Sequence, residues 1–95
     1  MDIRRKGGVL PLGDGRIGVP IEGDPDPDWI KAVSQAMLTQ QPGDERWTHA
    51  AATVTVDNVD GVRHLSMITS GIEPADFLIT YMQAIDAAIA TANEA

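Results

Sequence analysis

Apolar residues recur at two different spacings along this chain, and the spacing changes three times. Gly8-Val9-Leu10-Pro11-Leu12 reads as a short strand, and Pro11, which cannot donate to a ladder, puts it at an edge. Gly13-Asp14-Gly15 is a tight-turn signal. From Arg16 to Ile21 the positions alternate, with Ile17, Val19 and Ile21 on one face. The pattern then switches to helical: Trp29, Ile30, Val33, Ala36 and Met37 line one stripe of a helix over about residues 27–40. Asp26 suits its N-cap, Pro27 its first position and Asp28 the positive end of its dipole. Gln41-Pro42-Gly43-Asp44 stops it.

Alternation returns from Trp47 to Asp57, where Ala52, Val54 and Val56 oppose Thr53 and Thr55. Asn58-Val59-Asp60-Gly61 turns the chain. Val62 to Thr69 runs back with Leu65 and Met67 opposite His64 and Ser66. After Ser70-Gly71-Ile72, Glu73-Pro74 opens a second helix that runs to about Asn93. On a helical wheel, Leu78, Met82, Ile85, Ile89 and Ala92 centre its apolar face, with Phe77, Tyr81 and Ala88 to one side.

Hairpin, helix, hairpin, helix is the resulting order. It predicts an α+β domain of two layers, ββαββα, with a four-stranded antiparallel sheet and both helices packed on one face. The other face of the sheet would show Thr53, Thr55, His64 and Ser66. Asp14-Gly15 has its echo in Asp60-Gly61, and Pro27-Asp28-Trp29 in Pro74-Ala75-Asp76-Phe77. Gly15 to Trp29 is 14 positions and Gly61 to Phe77 is 16. Duplication of a ββα unit and convergence of short elements both fit. Residues 1–7 read as a flexible basic arm and residues 8–95 as a single domain.

Charge changes the picture more than composition does. The 95 residues carry a net charge of −7. Arg4, Arg5 and Lys6 hold three of the seven bases, and from Gly7 onward four bases face thirteen acids, a net of −9. Such a body repels phosphate backbones, so direct nucleic-acid binding is not expected. No apolar run reaches the ~18 residues of a membrane span, and Met1–Gly8 does not read as a signal peptide, so the expectation is a cytoplasmic protein without membrane contact. The chain has no cysteine, which removes disulfides, thiol catalysis and thiolate-bound zinc.

Candidate chemistry is sparse. Gly13-Asp14-Gly15-Arg16-Ile17-Gly18 fits G-x-G-x-x-G, but that fingerprint must lead from a strand into a helix, and here it joins two strands. Asp24-x-Asp26-x-Asp28 resembles the start of a calcium loop. The loop then needs glycine at its sixth position and glutamate at its twelfth, where this chain has Trp29 and Gln35. His49 and His64 lack metal-ligand spacing. Ser66 and His64 share a strand face, yet a nucleophile also needs an oriented base and an oxyanion site. No catalytic, cofactor or metal residues are assigned.

Two surfaces remain as candidates. The outward side of the second helix carries Ile79, Gln83, Asp86, Ala87 and Ala90, a small-residue stripe on which another helix could pack. Glu22, Asp24, Asp26 and Asp28 form an acidic stretch in which Glu22 and Asp24 exceed what a helix cap needs. The expectation is a small non-enzymatic protein-binding module, a homodimer, acting through its C-terminal helix or its open sheet face. The first alternative is a phage-type acidic inhibitor that occupies a basic site on a host protein by imitating DNA. The second is a ligand-binding or enzymatic domain with a pocket lined by Trp29, Trp47, Tyr81 and His64.

Overall fold

Two Asp-Gly pairs set the sheet. Asp14 and Gly15 have φ of 53° and 75°, and Asp60 and Gly61 have 53° and 80°. Two successive left-handed residues make the tight turn whose twist matches that of paired strands, so each pair closes a hairpin. The computed structural model describes residues 1–41, 43–69 and 71–94. Pro42, expected to help stop the first helix, and Ser70, in the second junction, lie outside the described residues.

In chain order the elements are β1 (Arg4–Arg5), β2 (Leu10–Gly13), β3 (Arg16–Glu22), α1 (Pro27–Gln40), α2 (Glu45–Ala52), β4 (Thr55–Val59), β5 (Val62–Ile68) and α3 (Pro74–Glu94). The architecture is α+β: a five-stranded antiparallel sheet and three helices, so the expected ββαββα layering gains one small strand and one small helix. β3 is central. β5 pairs along one side of it, with β4 beyond, while β1 and β2 both run along its other edge.

β1 and β2 amount to one edge strand broken by a bulge. Arg5 pairs with Ile21, but Leu10 pairs with Gly18, so two extra residues are absorbed between them. The break has a local cause. Lys6 N–H donates to Pro20 O at 2.7 Å, and Pro20 has no N–H to return. Beside that missing donor the chain leaves the ladder through Gly7, at φ 93°, and Gly8. Residues 1–7, expected as a free arm, therefore carry a strand and a buried anchor, Ile3, which is 2% exposed.

The helix layer holds the larger correction. Residues 47–52, expected to begin a strand, form α2. Asp44 caps it by accepting from the Arg46 and Trp47 amides, and Ala50-Ala51-Ala52 favour the helix. Thr53 closes it, with its N–H bonded to Ala50 O. The expected alternation is real only from Thr55. In α1, Asp26 accepts from Trp29 N at 2.8 Å with Pro27 at the first position, as expected.

One core joins the layers. Ile17, Val19, Ile21, Leu65 and Met67 face Trp29, Val33, Met37, Trp47, Phe77 and Ile85. Trp47 of α2 stacks on Tyr81 of α3, with ring centroids 4.8 Å apart, and Phe77 lies 4.9 Å from Tyr81. This trio rotates α3 about its axis relative to the expected wheel. Its buried side is Phe77, Tyr81, Ala84, Ile85, Ala88, Ile89 and Ala92. Met82, expected at the centre of that side, is 36% exposed, and Leu78 is half-buried. No helix among the described residues is long and apolar enough to cross a membrane.

Candidate functional site

α3 turns one apolar side chain fully outward. Ile79 is 82% exposed, and Met82 lies beside it one turn along. Gln83 and Ala90 are exposed on the same side, and Ala87 is half-buried at its margin. Residues 79, 83, 86 and 90 follow helical spacing, so they share a face. Asp86 is already engaged: Arg5 Nε and Nη2 reach its two carboxylate oxygens at 2.6 and 3.2 Å. That two-point ion pair raises the Arg5 pKa, chiefly through the hydrogen bond to Asp86. The expected interface thus has an apolar end at Ile79, which Met82, expected in the core, extends, and a middle tied to the N-terminal segment.

The four acidic candidates are close in sequence but divide into separate tasks. Glu22 faces Lys6 at 3.9 Å. Asp24 pairs with Arg63 at 3.0 Å, and Arg63 also donates to Gly23 O. Asp26 caps α1, and Asp28 is exposed in its first turn. The surplus beyond helix capping is therefore divided: Glu22 faces the residue that follows β1, and Asp24 fastens the β3–α1 connection to β5. The basic cluster is divided in the same way: Arg4 with Asp2, Arg5 with Asp86, Lys6 with Glu22.

The outer face of the sheet is less open than its sequence implied. His64 is 3% exposed and Ser66 is fully buried. Two side chains close over them. Leu12 reaches across Gly18 toward the His64 ring, where a Cβ on Gly18 would meet Leu12 Cδ1 at 2.9 Å. Arg16 lies across Ser66, donating from Nε to its Oγ at 2.7 Å and from Nη2 to Thr55 Oγ1 at 3.1 Å. Ser66 Oγ is thus bound to a guanidinium, while His64 Nδ1 lies 2.9 Å from Val62 O. Thr53 belongs to the α2 cap and not to this face. Beside His64 a shallow apolar dent of about 290 Å³ is lined by Lys6, Leu10, Pro20, Val59 and Val62.

The aromatic residues expected around a pocket do different work. Trp47 and Tyr81 are core residues, and Trp47 Nε1 donates to Met37 O. Tyr81 Oη donates to Asp44 Oδ2 at 2.5 Å. Burial, then this bond, pushes the Tyr81 hydroxyl up to about 12, and the same bond holds the Asp44 carboxyl below its usual range. Trp29 lines a surface hollow of about 390 Å³ with Met1, Asp26, Asp28, Ala32 and Ala92.

Asn93 was not singled out by any sequence signal. Its Oδ1 accepts from Ile3 N at 3.1 Å and from Trp29 Nε1 at 2.9 Å, and its Nδ2 donates to Ile3 O at 2.8 Å. A terminal helical turn rich in small residues gives no hint of this, because the partner is 90 residues away.

Compared with protein-family models, with curated proteins and with solved structures, the chain finds no match. The class defined by fold and surface is a small two-layer α+β domain with an apolar helix edge.

Proposed function

We propose that this chain is a small non-enzymatic protein-binding module that associates with a second copy of itself through the outward face of α3. The observation that carries the reading is the 82% exposure of Ile79 beside Met82 on a helix whose other large apolar residues are buried or half-buried. An aliphatic side chain in water loses roughly 1.5–3 kcal/mol relative to burial, which a partner surface recovers. The exposed Gln83 and Ala90 leave room for a second helix to approach. The engagement of Ser66 by Arg16 and of Tyr81 by Asp44 speaks for structural use of the chain's polar groups.

Light scattering at tens of micromolar tests it. The wild type is expected as a dimer and Ile79→Asp as a monomer with unchanged circular dichroism. A wild type that stays monomeric removes the self-association. A second reading places the contact on the outer sheet face, where Leu10 is 48% exposed above the dent by His64. In that case Leu10→Asp, and not Ile79→Asp, dissociates the dimer.

A further inference from the structure

Residues 2–6 sit in a groove built as a receptor for an extended peptide. One wall is the edge of β3, which pairs with Arg4 and Arg5 and accepts the Lys6 amide. The other is the last turn of α3, where the Asn93 side chain contacts both main-chain groups of Ile3. A side-chain amide that accepts from N–H and donates to C=O of one residue does what a neighbouring strand would do. The groove floor takes Ile3 against Gly23, where a Cβ would meet Ile3 Cδ1 at 2.6 Å. Its rim is acidic, with Asp86 for Arg5 and Glu22 for Lys6. Arg5 reaches Asp86 of α3 while its neighbour Lys6 meets Glu22 of β3, so successive side chains turn to opposite walls, as along a strand.

Apart from the Arg5–Gly7 and Arg4–Asp2 bonds, the hydrogen bonds and ion pairs of this strap among the described residues run to β3 and α3, not to the segment that follows it. They can be made equally well by the same segment of another molecule. Gly7, Gly8 and Val9 connect the strap to β2; Val9 packs against the core, and nothing lies within 4 Å of a Cβ placed on Gly7. A short hinge joining a self-contained strand to its receptor is the arrangement in which an element exchanges between copies.

We infer that this groove accepts residues 2–6 of a second copy, so that two chains exchange straps reciprocally, with Gly7-Gly8 as the hinge. The return of the strap to its own groove requires Gly7 at φ 93°, a conformation glycine adopts freely and a β-branched residue does not. The exchanged form extends the hinge and has no such requirement. The strap meets the Ile79 face only at Asp86 and does not use Ile79, so Ile79→Asp leaves exchange intact.

The chain has no cysteine, so a cross-strand reporter is clean. In the full-length Arg4→Cys/Glu22→Cys variant the two positions face each other across β1 and β3, at a spacing a disulfide tolerates. Isotope-labelled and unlabelled protein are mixed at about 1 mM, held, oxidised and digested, and the peptides linked through positions 4 and 22 are weighed. Exchange gives linked peptides with one labelled and one unlabelled half, in a fraction that rises with concentration. Gly7→Val in the same background is expected to raise the dimer association constant about a hundred-fold, ten-fold for each hinge relieved. Gly7→Asn, which tolerates the left-handed conformation, stays near the parent. Linked peptides that are wholly of one label in both the parent and the Gly7→Val background overturn the inference, as does mixed-label linkage that Gly7→Val leaves unchanged.

Discussion

At the scale of single residues, Asn93 does the most with the least sequence warning. It joins Ile3, near the start of the chain, to Trp29 at the start of α1 and to the end of α3. Asn93→Ala leaves the Trp29 indole N–H and both Ile3 main-chain groups without that partner in a largely enclosed place. Removing one side of a buried hydrogen-bond set costs about 1–3 kcal/mol. Urea unfolding of Asn93→Ala is expected to show a loss of about 2–3 kcal/mol, with faster amide exchange in residues 3–6 than elsewhere. Gln at 93, with its amide one methylene farther out, recovers little of it. Gly18 is the complementary case. Gly18→Ala forces Leu12 and the His64 ring aside, a crowding of about 1–3 kcal/mol, read in the same titration.

At the scale of elements, α2 is held from two directions. Asp44 caps it through the Arg46 and Trp47 amides, and the Tyr81 hydroxyl of α3 bonds the second oxygen of the same carboxylate. Tyr81→Phe is expected to destabilise by about 1–2 kcal/mol at neutral pH. Its pH dependence has two signs. The Asp44 carboxyl is held below its unfolded value, so its contribution is present above that unfolded value and is lost as pH falls from it to the lowered folded one. The Tyr81 hydroxyl is raised from 10.0 to about 12, so its contribution is full below 10 and is lost as pH climbs toward 12. The difference between wild type and Tyr81→Phe should therefore narrow at both extremes and be widest between. Tyr81 is the only tyrosine, so tyrosinate absorbance reads its titration directly.

At the scale of the whole molecule, the test is whether its surface acts apart from its core. Ile79→Asp changes a side chain that touches little, so thermal unfolding should shift by no more than about 0.5 kcal/mol in stability, while the sedimentation coefficient falls from dimer to monomer. A matching loss of stability would instead tie folding to association. Much of the architecture was legible beforehand. Both Asp-Gly hairpins, the cap and extent of α1, and the start of α3 at Pro74 follow from local rules that act within a few residues. The surface was legible in part. Ile79, Gln83 and Ala90 do point outward, but Asp86 is taken by Arg5, and the acidic stretch divides into a cap and ion pairs whose partners lie far along the chain.

The sequence by itself determined the turns, the caps and the periodic stripes, because each depends on backbone preferences and side-chain spacing that neighbours impose on one another. Only the tertiary structure decided what the 47–52 segment would be and how α3 would face. Trp47 and Thr48 there suit a strand, whereas Ala50-Ala51-Ala52 favour a helix. The choice came from Asp44 meeting Tyr81, and from Trp47 stacking on a helix some thirty residues later. Likewise Arg4, Arg5 and Lys6 are a free basic arm to any local reading. Arg4 and Arg5 became a strand, with Lys6 bonded just past it, because Pro20 leaves β3 an edge with an acceptor to fill, and because Asn93, Asp86 and Glu22 surround the segment.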